Sequence, residues 1–123
     1  MTPETRDSIG KKELGLLPDG AILVNIARGP IINEKALYDE LASGRISAGL
    51  DVWYNYPKTE EDRKYCNPSD YEFHMLENVV MTPHLAERSD LSEDLNVDGL
   101  AVMLNLAAHG KPLPNKVDVL QGY

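Results

Sequence analysis

Three side chains that can take part in substrate chemistry each stand at the end of a short apolar run. They are Arg28, Asp51 and His84. A guanidinium can hold a carboxylate through two hydrogen bonds, and an imidazole can move a proton near neutral pH. Each residue also has an ordinary interpretation: Arg28 as a surface cation, Asp51 as a helix or turn cap, and His84 as a hydrogen-bonded group at the core edge. Their shared placement favours an anion-binding, proton-transferring site.

The apolar runs that precede these residues predict strands near 21–26, 47–52 and 79–82. The runs are continuous rather than alternating, which is typical of parallel strands covered on both faces. Because parallel strands end at one rim of a sheet, we expect the three polar side chains to share that rim. Strands that alternate with helices predict an α/β fold with right-handed crossovers.

Helices are predicted between and after the strands, over 11–17, 34–43 and 89–109. Asn33 can cap the second of these, and Gly44 stands at its C-terminal cap position. Ser89 can cap the third, which is the longest. These local signals agree with the strand pattern.

The segment 53–78 is a long loop that holds six of the eight aromatic residues of the chain. One interpretation is that its aromatic rings cover the edge of the core. The other is that it forms a wall of an active site, because long loops at strand ends often carry function. The sequence leaves both interpretations open.

Composition limits the kinds of partner that fit this chain. Its 123 residues predict one domain, 1–123, with a C-terminal tail over 111–123. The net charge of −8 disfavours binding to nucleic acid or to anionic membranes. The single cysteine, Cys66, excludes an internal disulfide and a cysteine metal cluster, and we expect no metal site. No bilayer-spanning run or secretion signal is present in the sequence, so we expect a cytoplasmic protein.

Five motifs occur in a recognisable order along the chain: Thr2-Pro3-Glu4-Thr5-Arg6, Ile22-Leu23-Val24-Asn25-Ile26-Ala27-Arg28-Gly29, Gly49-Leu50-Asp51-Val52-Trp53, Asn78-Val79-Val80-Met81-Thr82-Pro83-His84 and Gly110-Lys111-Pro112-Leu113-Pro114-Asn115. In this order they resemble one enzyme family, the D-isomer-specific 2-hydroxyacid dehydrogenases. The resemblance extends over essentially the whole chain. It implies a partial Rossmann fold, an α/β architecture of three layers with a parallel sheet. This fold would form the C-terminal half of a dinucleotide-binding domain, and a long helix would lie at its C-terminus.

The resemblance also implies roles for individual residues. Arg28 corresponds to the arginine that holds the substrate carboxylate, and His84 to the acid–base histidine. Asp51 corresponds to the carboxylate near the nicotinamide carboxamide. The residues that correspond to positions lining the nicotinamide ring are Ile26, Ala27 and Ala86.

The chain departs from the family pattern at the partner of the histidine. Most members have a glutamate five residues after the strand-end aspartate, and here that position is Tyr56. A phenol can still hydrogen-bond His84, but without the charge of a carboxylate. Glu60 or Glu61 could substitute if the loop folds back.

A second departure is that no Gly-x-Gly-x-x-Gly occurs in the chain. Without this turn we expect weak or no binding of NAD or NADP by the chain alone. The sequence therefore predicts a fragment or split part of an NAD(P)-dependent oxidoreductase for 2-hydroxy and 2-keto acids, inactive by itself. The alternative is a non-catalytic remnant or scaffold. In either case we expect a missing N-terminal half or a homodimer to cover the strand at 21–26, since the run has no proline or lysine to protect an edge.

Overall fold

A computed structural model describes residues 1–120 of the chain. The chain divides into two compact units, Met1–Ala86 and Glu87–Tyr123. Residues 121–123 of the predicted tail lie outside the described residues, and 111–120 contain neither helix nor strand. The assignment of 1–123 to one domain stays a prediction.

The first unit contains a three-stranded parallel sheet with the order β1-β2-β3. Its elements are α1 (Lys11–Leu14), β1 (Ile22–Asn25), α2 (Glu34–Ala42), β2 (Ser47–Leu50) and β3 (Val79–Met81). The predicted α/β fold with three parallel strands is confirmed. The first helix is shorter than predicted, because it ends at Leu14 and the chain continues in turns to Gly20.

Local signals in the sequence explain where α2 begins and ends. The Asn33 side-chain oxygen accepts a hydrogen bond from the N–H of Ala36 at 3.0 Å, which is the predicted N-cap. Gly44 follows the helix with φ of 75°, a left-handed conformation that glycine adopts without a steric cost. Arg45 then donates to the carbonyls of Leu14 and Leu17, so it ties the end of α1 to the start of β2.

The two faces of the sheet differ in their packing. One face carries Leu23, Ala48 and Leu50 and packs against the buried leucines of α1 and α2, namely Leu14, Leu37 and Leu41. On the other face Ile22 and Val24 are 75% and 66% exposed. The continuous runs led us to expect cover on both faces, and the difference arises because α1 and α2 both contribute to the same core.

The long loop after β2 contributes to the core and also reaches the rim of the sheet. Trp53 and Phe73 are buried in the core, and Phe73 makes an edge-to-face contact with Tyr38 at 5.4 Å between ring centroids. Short 3-10 turns at Asp62–Lys64 and Phe73–Met75 give the loop local order. The interpretation that aromatic residues cover the core edge therefore holds for Trp53 and Phe73.

The second unit consists of α3 (Asp90–Ala108) and the segment that follows it. The Ser89 hydroxyl accepts from the N–H of Ser92 at 3.1 Å and caps the helix as predicted. The predicted long C-terminal helix is confirmed. Among residues 1–120, no helix is both long and apolar enough to cross a membrane.

Candidate active site

The register of the sheet brings the ends of its three strands to one rim. Asn25 pairs with Leu50, and Leu50 pairs with Met81. The residues that follow continue the pattern, since the N–H of Asp51 donates to the carbonyl of Asn25 at 3.0 Å and that of Thr82 donates to Leu50 at 2.9 Å. The segments that carry Arg28, Asp51 and His84 therefore leave the sheet side by side.

The carboxylate of Asp51 holds the loop that follows β3. Its Oδ1 accepts from the Thr82 hydroxyl at 2.6 Å and from the N–H of Leu85 at 2.8 Å. Its Oδ2 accepts from the N–H of Ala86 at 3.0 Å. The Thr82 hydroxyl, with help from the two N–H groups, lowers the pKa of the Asp51 carboxyl, although burial acts to raise it. The ionised carboxylate of Asp51 thus holds the loop after β3 in place at the rim of the sheet.

His84 occupies the turn that this anchor organises. Its backbone has φ of 56°, in the left-handed region that is uncommon outside glycine, although asparagine, aspartate and histidine adopt it more often than other residues. The His84 N–H donates to the carbonyl of Asp51 at 3.1 Å, and the neighbouring N–H groups of Leu85 and Ala86 donate to the Asp51 carboxylate. Because these bonds fix the turn from both sides, the imidazole projects from a rigid support and remains exposed.

The partner of the imidazole is Tyr56. The Tyr56 Oη lies 2.7 Å from the Nε2 of His84, and it also accepts a hydrogen bond from the N–H of Trp53 at 2.9 Å. The phenol therefore lies where the resemblance places the family's glutamate. Among residues 1–120, neither Glu60 nor Glu61 has a hydrogen bond to His84, and the Glu60 carboxylate lies 3.5 Å from the guanidinium of Arg63.

Arg28 follows β1 at the same rim, and among residues 1–120 it has no hydrogen bond to Tyr56 or His84. Its guanidinium donates to the carbonyl of Ala27 at 2.6 Å, and it forms no salt bridge with the residues described here. Asn25 shapes the turn that carries it: the Asn25 side chain accepts from the N–H of Ala27 and donates to the carbonyl of Arg28, both at 3.1 Å. The exposed guanidinium remains available to an anion.

Gly29 lets the Arg28 turn approach the segment that holds Tyr56. A Cβ placed on Gly29 would stand 2.3 Å from the carbonyl oxygen of Trp53, which is closer than any ordinary contact. The same tryptophan supplies the N–H that binds Tyr56 Oη. The backbone of Trp53 therefore positions both the Arg28 turn and the Tyr56–His84 pair.

The residues proposed to line the nicotinamide ring surround the same rim. Ile26 is 60% exposed just past β1, where an apolar ring could lie on it. Ala27 and Ala86 are exposed small residues of the neighbouring turns. These residues fit the nicotinamide end of a dinucleotide. The glycine-rich turn that would hold the pyrophosphate does not occur in the 123-residue sequence.

Sequence reasoning missed three residues that position this site: Asn25, Trp53 and Thr82. Asparagine at the end of a strand often bonds to the backbone two or three residues later, so the signal for Asn25 was present. The bonds from Thr82 to Asp51 and from Trp53 to Tyr56 depend on how the loops return to the rim. No local sequence pattern predicts these two hydrogen bonds.

Comparison with known proteins identifies the same family that the sequence motifs resemble. Residues 1–86 match the family model described as "D-isomer specific 2-hydroxyacid dehydrogenase, NAD binding domain". The hydroxypyruvate reductase of Thermotoga maritima is 42% identical over 86 residues, which are 69% of this chain and 26% of that protein. The D-3-phosphoglycerate dehydrogenase of Methanocaldococcus jannaschii is 33% identical over 97% of this chain and 21% of its own length.

A solved structure shows the same likeness in three dimensions. It is a D-isomer specific 2-hydroxyacid dehydrogenase from Xanthobacter autotrophicus Py2 in complex with NADPH and MES. The TM-score is 0.76 at 33% sequence identity, with 100% of this chain and 47% of that chain covered. The chain thus spans about a fifth to a quarter of the two curated relatives and about half of this structure.

Proposed function

The chain belongs to the D-isomer specific 2-hydroxyacid dehydrogenase family, and from this premise we propose that it is part of a cytoplasmic oxidoreductase that interconverts 2-hydroxy and 2-keto acids. NAD or NADP is the proposed hydride carrier. A polypeptide that supplies the glycine-rich turn and the rest of the substrate site is its proposed partner. By itself the chain is proposed to be inactive.

The observation that carries this proposal is the contact of 2.7 Å between Tyr56 Oη and His84 Nε2, at a rim that also presents Arg28. A histidine held by a hydrogen-bonding partner is the usual arrangement of a general acid–base group. An exposed guanidinium at the same rim, which forms no salt bridge within residues 1–120, suits a substrate that carries a carboxylate. Together they match the two polar ends of a 2-keto acid.

The proposed roles follow from the chemistry of the reaction. Arg28 binds the substrate carboxylate, and Asp51 keeps the His84 turn in place. When bound, the nicotinamide supplies a hydride to the C2 carbon of a keto acid or accepts one from a hydroxy acid. In reduction a proton reaches the keto oxygen from the imidazole side of the site, and in oxidation the hydroxyl proton returns there. Hydride and proton together account for the two hydrogens exchanged.

A chimera tests this proposal directly. Residues 1–86 replace their counterpart in the hydroxypyruvate reductase of Thermotoga maritima, whose remaining sequence supplies the other parts of the site. We expect NAD(P)H-dependent reduction of hydroxypyruvate or glyoxylate, followed as loss of NADH or NADPH absorbance. In the matched control, the 123-residue chain alone, we expect no turnover and a dissociation constant for NADH above roughly 10 μM, about −7 kcal/mol. A folded chimera without any reductase activity contradicts the proposal.

A second candidate role is that of a self-associating, non-catalytic protein. It is favoured by the exposed sheet face, where Ile22, Val24 and Val80 are 75%, 66% and 69% exposed. Strand β1 also lies at the edge of the sheet, with no proline or lysine to discourage pairing. Apolar patches above a few hundred Å² seldom remain exposed on a monomer. A two-fold pair of chains could cover this face.

Light scattering at tens of micromolar protein in 0.15 M salt tests self-association. We expect twice the mass of the 13.7 kDa chain, because the net charge of −8 is largely screened beyond about 8–10 Å at this salt. Val24→Lys, which places a charge on the exposed face, should restore the monomer. The matched control is Val119→Lys, at an exposed valine of the second unit. A monomeric wild type contradicts the homodimer.

A further inference from the structure

The hydroxyl of Tyr56 has two hydrogen-bond partners but only one proton to donate. The N–H of Trp53 can only donate, so it uses a lone pair of Tyr56 Oη at 2.9 Å. The second neighbour, Nε2 of His84 at 2.7 Å, can either donate or accept. If the phenol proton points to Nε2, both contacts are satisfied. If Nε2 carries the proton instead, Oη accepts twice from protein and its own proton has no protein acceptor among residues 1–120.

We propose that Tyr56 is a positioning residue that donates to Nε2 and holds the neutral His84 ring as the Nδ1–H tautomer. The ring's other nitrogen, Nδ1, has no hydrogen-bond partner within residues 1–120. In this tautomer Nδ1 carries an N–H that no described residue accepts, so it is available to a ligand. A carboxylate at the position of Tyr56 would impose the opposite tautomer, because a carboxylate only accepts and needs Nε2–H.

The tautomer determines which ligand oxygen fits the site, a consequence that rests on the proposed function. A keto oxygen accepts a hydrogen bond from Nδ1–H, whereas the hydroxyl of a hydroxy acid needs an acceptor there to give up its proton. Arg28 donates hydrogen bonds to the substrate carboxylate. The site therefore offers hydrogen-bond donors to both the carboxylate and the keto oxygen of the substrate. In this tautomer the neutral ring suits the 2-keto acid, the substrate of the reductive direction, better than the 2-hydroxy acid.

Nitrogen-15 NMR of the full chain reads the tautomer directly from the two ring nitrogens, at a pH where the ring is neutral. The chain contains an internal reference, because Nδ1 of His109 lies 2.8 Å from the carbonyl of Asn105 and must carry the proton to donate to it. His84→Asn identifies the His84 signals by their loss. We expect the wild-type His84 signals to match the pattern of His109.

Variants at position 56 test whether Tyr56 determines the tautomer of the His84 ring. In Tyr56→Phe we expect the ratio of Nδ1–H to Nε2–H to fall about fivefold, the change that one ordinary hydrogen bond produces. In Tyr56→Glu the ratio should invert. Tyr65→Phe, at an exposed tyrosine of the same loop, should leave it unchanged.

A wild-type ring in the Nε2–H form, or a ratio that Tyr56→Phe leaves unchanged, overturns the inference. The wild-type measurement needs no variant to fold, and it does not depend on catalysis. Failure of the chimera to reduce a keto acid would therefore leave the tautomer result standing, and the wrong tautomer would leave the dehydrogenase proposal standing.

Discussion

We expect His84→Asn to reduce the kcat of the chimera by roughly 10²–10⁴-fold, the usual contribution of a general acid–base group. Asparagine is chosen because it tolerates the left-handed backbone that His84 adopts with φ of 56°. The turn that Asp51 holds then stays intact, and only the imidazole is lost. The rate of NAD(P)H consumption at saturating hydroxypyruvate measures the effect.

The matched control for this variant is His74→Asn. His74 is the other histidine of the first unit, and it is exposed in a 3-10 turn of the long loop. It has no role in the proposed chemistry, so its substitution should leave kcat within about twofold of the chimera. Equal rates in the two variants would remove His84 from the reaction and leave it as a residue of the rim turn.

The fold was predictable because its signals are local. Asn33 and Ser89 cap helices through bonds to residues three positions away, and Gly44 ends α2 in a conformation that glycine favours. The apolar runs identified the three parallel strands. The sequence predicts that the strand at 21–26 lacks cover from its own chain. Composition does not say on which face of the sheet a helix will pack, so it does not identify Ile22 and Val24 as the exposed residues.

The candidate site was predictable to the level of its rim. Parallel strand ends meet, so Arg28, Asp51 and His84 were expected together. The family resemblance directed attention to Tyr56, and the role it implies for Asp51, near the nicotinamide carboxamide, stays a prediction. The structure shows Asp51 bonded to the loop of residues 82–86, which depends on contacts across more than 30 positions of sequence. Such long-range bonds lie beyond what a sequence pattern encodes.

The second large effect is expected from Gly29→Ala. The added methyl group would lie 2.3 Å from the carbonyl oxygen of Trp53 and 2.6 Å from its carbonyl carbon. These are backbone atoms, so no side-chain rotation relieves the clash and one of the two turns must move. Overpacking typically costs 1–3 kcal/mol and sometimes more, and we expect about 3 kcal/mol here. For a unit of this size that lowers Tm by roughly 12–24 °C.

Thermal unfolding followed by the fluorescence of Trp53, the only tryptophan of the chain, measures this loss at the place where it arises. The matched control is Gly49→Ala in β2, where the nearest atom to the added methyl is a Val24 side-chain carbon at an ordinary 3.9 Å. Gly49→Ala should leave Tm within a few degrees or raise it, because alanine restricts the unfolded chain. If Gly29→Ala unfolds at the wild-type temperature, the Arg28 turn does not press on Trp53. The arginine and the tyrosine–histidine pair would then lack their common support.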